Sequence, residues 1–167
     1  DGTFPGDENT AGVDGGFLAV SSLDGGTINV LNCDFTLQEA GVNGGALAFE
    51  GISNAAIITV TGGSITTCDA LTGDGGGIYV GTLGDLAQIN LDGGLTLDGN
   101  VAFNNGGGMA LGQLGSDPLV TVDGITGVNN TATNGSGGGL WISGDGDGGS
   151  ITLGNSIFTG NDTGVSG

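Results

Sequence analysis

Two short apolar runs recur along the chain with a period of about 31 residues. The first run follows a glycine cluster in GGFLAV (15–20), GGALAF (44–49), GGGIYV (75–80), GGGMAL (106–111) and GGGLWI (137–142). The second run follows in TINV (27–30), IITV (57–60), QINL (88–91), LVTV (119–122) and SITL (150–153). The starts of the glycine clusters and the ends of the second runs advance along the chain in near-equal steps. Two independent markers that share one period indicate an internal repeat.

Both runs alternate in the manner of half-buried strands. In the second run, two inward apolar residues flank one polar residue, which is in turn Asn29, Thr59, Asn90, Thr121 and Thr152. Alternation with a period of two is typical of a strand with one buried face. A third, weaker strand is predicted around Phe35, Ile65, Leu97, Ile125 and Phe158.

This pattern predicts an all-β fold, a single-stranded parallel β-helix of about five coils with three strands per coil. Glycine, Asp and Asn form the corners, because glycine readily takes the positive φ that tight corners need. The chain, 1–167, is expected to be one domain, with a partial coil at 1–14 and coils that start near 15, 44, 75, 106 and 137. Right-handed winding is expected, since crossovers between parallel strands are right-handed.

Three short motifs carry a resemblance to a known family. GGAL at 44–47, GGGI at 75–78 and FTGN at 158–161 resemble the GGA[I/L/V] and FxxN repeats of polymorphic outer-membrane proteins and related autotransporter passengers. The stretches that match FxxN in the other repeats read FTLQ, ITTC, LDGN and GVNN. The resemblance covers the whole chain at the level of the repeat and implies a right-handed β-helix of the pectate-lyase-like class.

The charge of the chain excludes several functions. It has 18 Asp and Glu residues and no Lys, Arg or His, so its formal charge is −18. Phosphate binding needs basic residues, so we expect no nucleic acid and no anionic membrane as a partner. The absence of Lys and Arg also removes trypsin-like cleavage sites, which favours an extracellular or cell-surface location.

We expect no enzymatic activity. Polygalacturonate lyases of the resembled fold depend on basic residues, and a His-based triad is impossible here. A glycosidase would need two carboxylates. The cleft of that family lies over the outward face of the first run, where this chain has Ala19, Ala48, Tyr79, Ala110 and Trp141.

One corner of the repeat is acidic. Asp85, Asp117 and Asp147 fall at the same predicted phase, between the first and second runs, and Asp145 lies beside Asp147. Carboxylates stacked about 5 Å apart repel unless something bridges them. Calcium prefers carboxylate oxygens of this kind as ligands. We therefore predict a calcium site formed by Asp85, Asp117, Asp145 and Asp147. The alternative is that these residues form turns that face water.

Tyr79 and Trp141 are the candidate partner-binding residues. Both are predicted to point outward from the first run, with Ala110 between them. Exposed aromatic rings can stack on sugar rings or on a neighbouring chain. The alternative is that a nearby loop covers them.

Three N-x-S/T sequences mark candidate glycosylation sites at Asn129, Asn134 and Asn161. They fall in the same loop phase, between the third and first strands. They have a function only if the chain is secreted through a glycosylating pathway.

The ends of the chain carry matching segments. Residues 161–167 correspond position for position to residues 9–15, so the two ends are about half a coil out of phase. No capping helix is predicted at either end, and an uncapped end exposes an open parallel edge. Either the chain is a fragment of a longer protein or its copies stack end to end with a staggered joint. We therefore expect a secreted filament or surface-layer subunit, with a glycan-binding adhesin segment as the alternative and a polysaccharide-active enzyme as the third hypothesis.

Overall fold

A computed structural model describes residues 2–3, 9–144 and 149–164, and these residues form strands and turns without a helix. Among them no helix is long and apolar enough to cross a membrane. The strands build parallel sheets that stack coil upon coil, so the fold is a β-solenoid of about five turns with three sheets per coil.

Three sheets run along the solenoid, and their strands are numbered in chain order. The first sheet contains β3 (Leu18–Val20), β4 (Leu23–Asp24), β7 (Leu47–Ser53), β10 (Ile78–Leu83), β14 (Met109–Leu114) and β18 (Leu140–Ile142). The second sheet contains β1 (Gly2–Thr3), β5 (Thr27–Thr36), β8 (Ile57–Thr66), β11 (Gln88–Asp92), β12 (Thr96–Asp98), β15 (Leu119–Asp123), β16 (Thr126–Val128), β19 (Ser150–Gly154) and β20 (Ile157–Thr159). The third sheet contains β2 (Thr10–Ala11), β6 (Glu39–Ala40), β9 (Asp69–Ala70), β13 (Val101–Ala102), β17 (Thr131–Ala132) and β21 (Asp162–Thr163).

The register of the sheets follows the sequence repeat. In the first sheet, equivalent residues pair from coil to coil in the order Leu18, Leu47, Ile78, Met109 and Leu140. This pairing confirms the predicted ~31-residue spacing of the coils. Parallel pairing puts the strands of successive coils about 4.8 Å apart.

The core consists of the inward columns that the alternation predicts. Side chains with an exposed fraction of 1% or less include Leu47, Phe49, Ile58, Val60, Ile78, Val80, Ile89, Leu91, Met109, Leu111, Val120 and Val122. Each inward residue packs on its equivalents in the coils above and below, because the register superimposes identical positions.

The predicted third strand is confirmed at four of five positions and wrong at one. Phe35, Ile65 and Leu97 pair in order, but Leu97 then pairs with Gly127 and not with Ile125. Gly127 in turn pairs with Phe158. A Cβ at Gly127 would lie 2.4 Å from the Phe158 ring, so this glycine leaves room for the ring of the next coil.

The sequence did not reveal the third sheet. The second and third predicted strands belong to one sheet, and β5 and β8 run through both without a break. The remaining sheet consists of two-residue strands, which are too short to produce an alternating pattern. Their inward residues form a buried alanine column at Ala40, Ala70, Ala102 and Ala132, and this spacing is the signal that could have identified them.

Two glycines of each cluster have different structural roles. The first one has φ between 60° and 69° at Gly15, Gly44, Gly75, Gly106 and Gly137, a conformation that a residue with a Cβ rarely adopts. The second one lies against backbone of the next coil. A Cβ at Gly76, for example, would be 2.3 Å from the carbonyl oxygen of Gly107. The glycine clusters are therefore the place where two coils approach too closely for any side chain.

Buried asparagines connect the coils at the corner after the predicted third strand. The backbone N–H and the side-chain Nδ2 of Asn100 both donate to Oδ1 of Asn130, at 3.0 and 2.9 Å. Asn130 donates in the same way to Oδ1 of Asn161, at 2.9 and 3.0 Å. Each of these side chains also donates to a backbone carbonyl, as Asn100 does to Ile65 at 2.9 Å. This asparagine ladder occupies the fourth position of the FxxN stretches, where Gln38 and Cys68 stand in the earlier coils.

Candidate functional surfaces

The aromatic residues on the outer face of the first sheet are half-exposed, and the alanines between them are buried. Tyr79 pairs with Ala48 on one side and Ala110 on the other, and Ala110 pairs with Trp141. Ala48 and Ala110 have an exposed fraction of 0%, which corrects the prediction that they face solvent. The turn before each strand folds over this face, since a Cβ at Gly44 would be 3.0 Å from Cβ of Ala48.

Glu50 is a residue of this face that the sequence analysis missed. It lies two positions after Ala48 in β7, and its Oε1 is inaccessible and has no hydrogen-bond partner. Burial and the charge of Asp14 raise the pKa of Glu50, while a hydrogen bond from Asn43 lowers it. Burial also raises the pKa of Tyr79 to about 12, with further contributions from Glu50, Asp74 and Asp14. The charges of three carboxylates therefore act on the one tyrosine of the chain.

The third sheet holds a second poorly solvated carboxylate. Burial raises the pKa of Asp69, and the neighbouring Glu39, with which it pairs in register, raises it further. Asp69 lines two adjacent shallow cavities of about 140 and 110 Å³. Leu71 and Phe103, with exposed fractions of 47% and 45%, lie beside the second cavity.

The raised carboxyl pKa values predict that the folded state is more stable in mild acid than at neutral pH. A carboxyl whose pKa is higher in the folded state binds its proton more tightly there, so stability falls as the pH rises above the ordinary value of about 4. We expect the midpoint of urea unfolding to be higher at pH 5 than at pH 7. Protonation in mild acid also reduces the charge of −18, so weaker repulsion between carboxylates stabilises the folded state further.

A charge-matched pair of variants separates the two causes. Glu50→Gln should raise the midpoint at pH 7 and reduce the difference between pH 5 and pH 7. Asp117→Asn removes one charge from an exposed position and should change the midpoint little. Equal effects of the two substitutions would mean that net charge alone governs the pH dependence.

The acidic corner is not stacked as the sequence predicted. The register of the flanking strands, Leu83 with Leu114 and Gln88 with Leu119, sets Asp85 level with Ser116 and Asp117 level with Leu86. Both carboxylates are exposed, and Asp117 has a φ of 54°, as expected of a turn residue. Asp145 and Asp147 lie outside the described residues. Within the described residues no three acidic, Cys or His side chains are grouped to hold a metal ion.

The calcium site stays a prediction with a direct test. Calcium that binds only the folded chain should stabilise it by about 1.4 kcal/mol when its free concentration is ten times the dissociation constant. Thermal unfolding in calcium, in EDTA and in magnesium at equal ionic strength gives the comparison. Identical melting in the three solutions would leave Asp85, Asp117, Asp145 and Asp147 as turn residues only.

The three glycosylation candidates differ in their surroundings. Asn129 and Asn134 are exposed, and the Asn129 side chain donates a 3.0 Å hydrogen bond to Asp98. Asn161 is half-buried, and its side chain accepts two bonds from Asn130 and donates to Gly127 at 2.9 Å. Its amide is thus engaged in the asparagine ladder, whereas Asn129 and Asn134 remain accessible.

Both cysteines are free thiols. Cys33 is half-buried against the core, and Cys68 is fully buried at its ladder position. Burial raises the pKa of the Cys68 thiol to about 12, with a smaller contribution from Asp69 in the same direction. Cys68 therefore acts as a small apolar core residue.

The last described coil exposes residues of the inward columns. Ile151 and Leu153 have exposed fractions of 38% and 57%, although their equivalents Val120 and Val122 are at 0%. β18, β19, β20 and β21 are the outermost strands of the three sheets on this side. Parallel edges of this kind can pair with a further strand.

The comparisons with known proteins give no relative: no protein-family model, no curated protein and no solved structure matches the chain.

Proposed function

We propose that this chain is a non-enzymatic, extracellular structural protein whose copies associate end to end through the open edges of the solenoid. The observation that supports the proposal is the exposure of Ile151 and Leu153, two core-type residues on an outermost strand. Burial of such apolar area against a further coil is favourable by about 25 cal/mol per Å². The partner at this edge is a second copy of the chain, because every copy contains the same parallel sheets with which the edge strands could pair.

The charge sets the conditions for this association. With 18 acidic groups and no basic group, two copies repel each other at low ionic strength. Association should therefore need salt, divalent cations or mild acid, which reduce the repulsion.

Light scattering and electron microscopy of the purified chain test the proposal. Over a range of protein concentrations at about 0.5 M salt, where screening is nearly complete, we expect particles longer than one solenoid. Monodisperse monomers under all these conditions would contradict it.

Glycan binding by an adhesin passenger segment is the second candidate, and the half-exposed Tyr79 and Trp141 favour it. The backbone positions of the two residues lie two coils apart, about 9.6 Å by the strand spacing. The GGAL and FTGN motifs support the same candidate through their resemblance to autotransporter passengers. Trp141→Ala should abolish retention on immobilised neutral polysaccharides, whereas Phe103→Ala, on another face, should not. Retention of both variants would contradict glycan binding through Trp141.

A polysaccharide-active enzyme is the third hypothesis, and Glu50 gives it a concrete test. Incubation of the chain with neutral and acidic polysaccharides should release no reducing ends. Release that Glu50→Gln abolishes would overturn the proposal that the protein is non-enzymatic.

A further inference from the structure

The chain contains three Asn-Gly sequences, which begin at Asn43, Asn105 and Asn134. In such a pair the backbone nitrogen of the glycine can attack the side-chain carbon Cγ of the asparagine, because glycine has no Cβ to hinder the approach. The attack requires that the peptide group between the two residues rotates and that the asparagine side chain turns toward it. The three pairs are chemically the same, so any difference in their reactivity arises from the stacked coils.

The pair at Asn43 is held by hydrogen bonds to the coils on both sides. Its carbonyl oxygen accepts from the N–H of Gly15 at 2.9 Å, and the N–H of Gly44 donates to the carbonyl of Asp74 at 3.0 Å. The side chain is bonded as well, since Oδ1 of Asn43 accepts from the N–H of Asp74 at 3.0 Å. Rotation of this peptide group would break bonds at both of its ends.

The pair at Asn105 is held in the same way. Its carbonyl accepts from Gly75 and the N–H of Gly106 donates to the carbonyl of Ser136, both at 2.9 Å. Oδ1 of Asn105 accepts from the N–H of Ser136 at 2.9 Å, and Nδ2 donates to Oδ1 of Asp74 at 3.0 Å. Both the peptide group and the side chain are therefore bonded to neighbouring coils.

The pair at Asn134 lacks these bonds. The N–H of Asn134 donates to the carbonyl of Phe103 at 2.8 Å, which holds the residue on its N-terminal side. Among the described residues, none bonds to the carbonyl or the side chain of Asn134 or to the N–H of Gly135. Asn134 is exposed, whereas Asn43 and Asn105 are half-buried. Its peptide group and its side chain can therefore rotate without the loss of a hydrogen bond.

Packing between coils requires the glycine that follows Asn134. A Cβ at Gly135 would lie 2.4 Å from the carbonyl oxygen of Asn104 and 2.5 Å from Oδ1 of Asn105. No residue with a side chain fits there without displacing the preceding coil. The fold thus keeps an unhindered nucleophile beside an exposed asparagine.

We infer that Asn134 is a site of spontaneous deamidation in the folded protein and that Asn43 and Asn105 are protected from it. The Gly135 nitrogen loses its proton to hydroxide and forms a bond to Cγ of Asn134, while the bond from Cγ to Nδ2 breaks and Nδ2 leaves as ammonia. Water then opens the cyclic succinimide at one of its two carbonyl carbons and yields aspartate or isoaspartate. The product carries one more negative charge than the parent chain.

Deamidation competes with glycosylation at this position. Asn134 and Ser136 belong to one of the three N-x-S/T sequences, and the reaction removes the amide to which a glycan would be attached. Asn129 is followed by Asn130, whose side chain hinders the same attack, and its own side chain donates to Asp98. Of the two accessible glycosylation candidates, Asn129 is therefore the one that keeps its amide.

Peptide mapping by mass spectrometry compares the three pairs in one sample. The folded protein is incubated in mildly alkaline buffer and then digested with pepsin in acid, where succinimide formation is slow. Replacement of the amide by a carboxyl increases the peptide mass, and fragmentation assigns the change to a residue. We expect deamidation at Asn134 to be at least tenfold faster than at Asn43 or Asn105. Equal rates at the three positions, or an Asn134 amide that stays intact, would overturn the inference.

The same incubation in urea is the control for local sequence. In the unfolded chain the three pairs should react at similar rates, and a preference for Asn134 that persists in urea would contradict protection by the coils. Asp74→Ala removes the acceptor of the Asn105 side chain and backbone N–H. This variant, with its fold checked by circular dichroism, should accelerate deamidation at Asn105 and leave the rate at Asn134 unchanged. An unchanged rate at Asn105 would mean that the side-chain bond does not protect it.

Discussion

Gly76→Ala should destabilise the solenoid by about 3 kcal/mol, because overpacking against backbone cannot be relieved by a side-chain rotation. A Cβ at this position would lie 2.3 Å from the Gly107 carbonyl oxygen and 2.5 and 2.6 Å from backbone atoms of Val101. Gly107 belongs to the next coil, and Val101 lies in β13, which stacks on β9, so the substitution forces stacked strands apart. For a chain of this length we expect the unfolding temperature to fall by roughly 6–12 °C.

Gly12→Ala is the matched control for this substitution. A Cβ at Gly12 would meet nothing within 4 Å, and this glycine does not have a positive φ. Its unfolding temperature should stay within measurement error of the parent or rise slightly, as Gly→Ala does at unstrained sites. If Gly76→Ala fails to fold, circular dichroism of the purified variant at low temperature will show the loss of strand signal. Equal stability of Gly76→Ala and Gly12→Ala would contradict the close approach of the coils.

Asn100→Ala should cost about 2–3 kcal/mol, because it leaves buried polar groups without partners. Oδ1 of Asn100 accepts the backbone N–H of Cys68 at 3.0 Å, and its Nδ2 donates to the carbonyl of Ile65 at 2.9 Å. Both partners lie in the preceding coil and have no access to water at this depth, since Asn100 itself is 0% exposed. Chemical unfolding monitored by fluorescence and circular dichroism measures the change.

An isosteric variant identifies the hydrogen bonds as the cause. Asn100→Asp keeps the volume of the side chain but replaces the donor to Ile65 and Asn130 by a second oxygen. It should be strongly destabilising at pH 7 and less so at pH 5, where the carboxyl takes up a proton and regains one donor. Asn29→Ala, at an exposed strand position, is the control and should change stability by less than about 0.5 kcal/mol. A pH-independent cost of Asn100→Asp would point to packing and not to hydrogen bonding.

Residues that alternate within one strand were predictable. The pairs Leu18 and Val20, Ile58 and Val60, and their equivalents point inward as expected, because alternation is a local property of a strand. The repeat spacing also fixed which residues stack on which, since parallel coils with equal lengths must align equivalent positions. The exceptions lie at the corners. Asp85 and Asp117 are about one coil apart in the sequence, but the flanking strands set Asp85 level with Ser116, so the two aspartates fall one position out of register.

Contacts between coils could not be predicted from local pattern. Glu50 and Asp14 are remote in sequence but share one environment, and neither lies in a recognisable motif. The same holds for Gly127, which is a glycine because the ring of Phe158 occupies the space of its side chain. Tyr79 was correctly placed on the outer face, but the cover over its neighbours Ala48 and Ala110 depends on a turn whose course the sequence did not specify.

The fixed period of glycines and alternating apolar residues was enough to predict a parallel solenoid, because equivalent strands of successive repeats bury their apolar faces when they stack. Three features became visible only with the coils stacked: a third sheet of two-residue strands, a ladder of hydrogen-bonded asparagines and a buried oxygen on Glu50. Each of these arises where residues one coil apart in the sequence are brought within hydrogen-bonding or van der Waals distance. A periodic sequence predicts that coils stack. Only the stacked coils show which atoms of neighbouring coils are in contact and which of them donate hydrogen bonds.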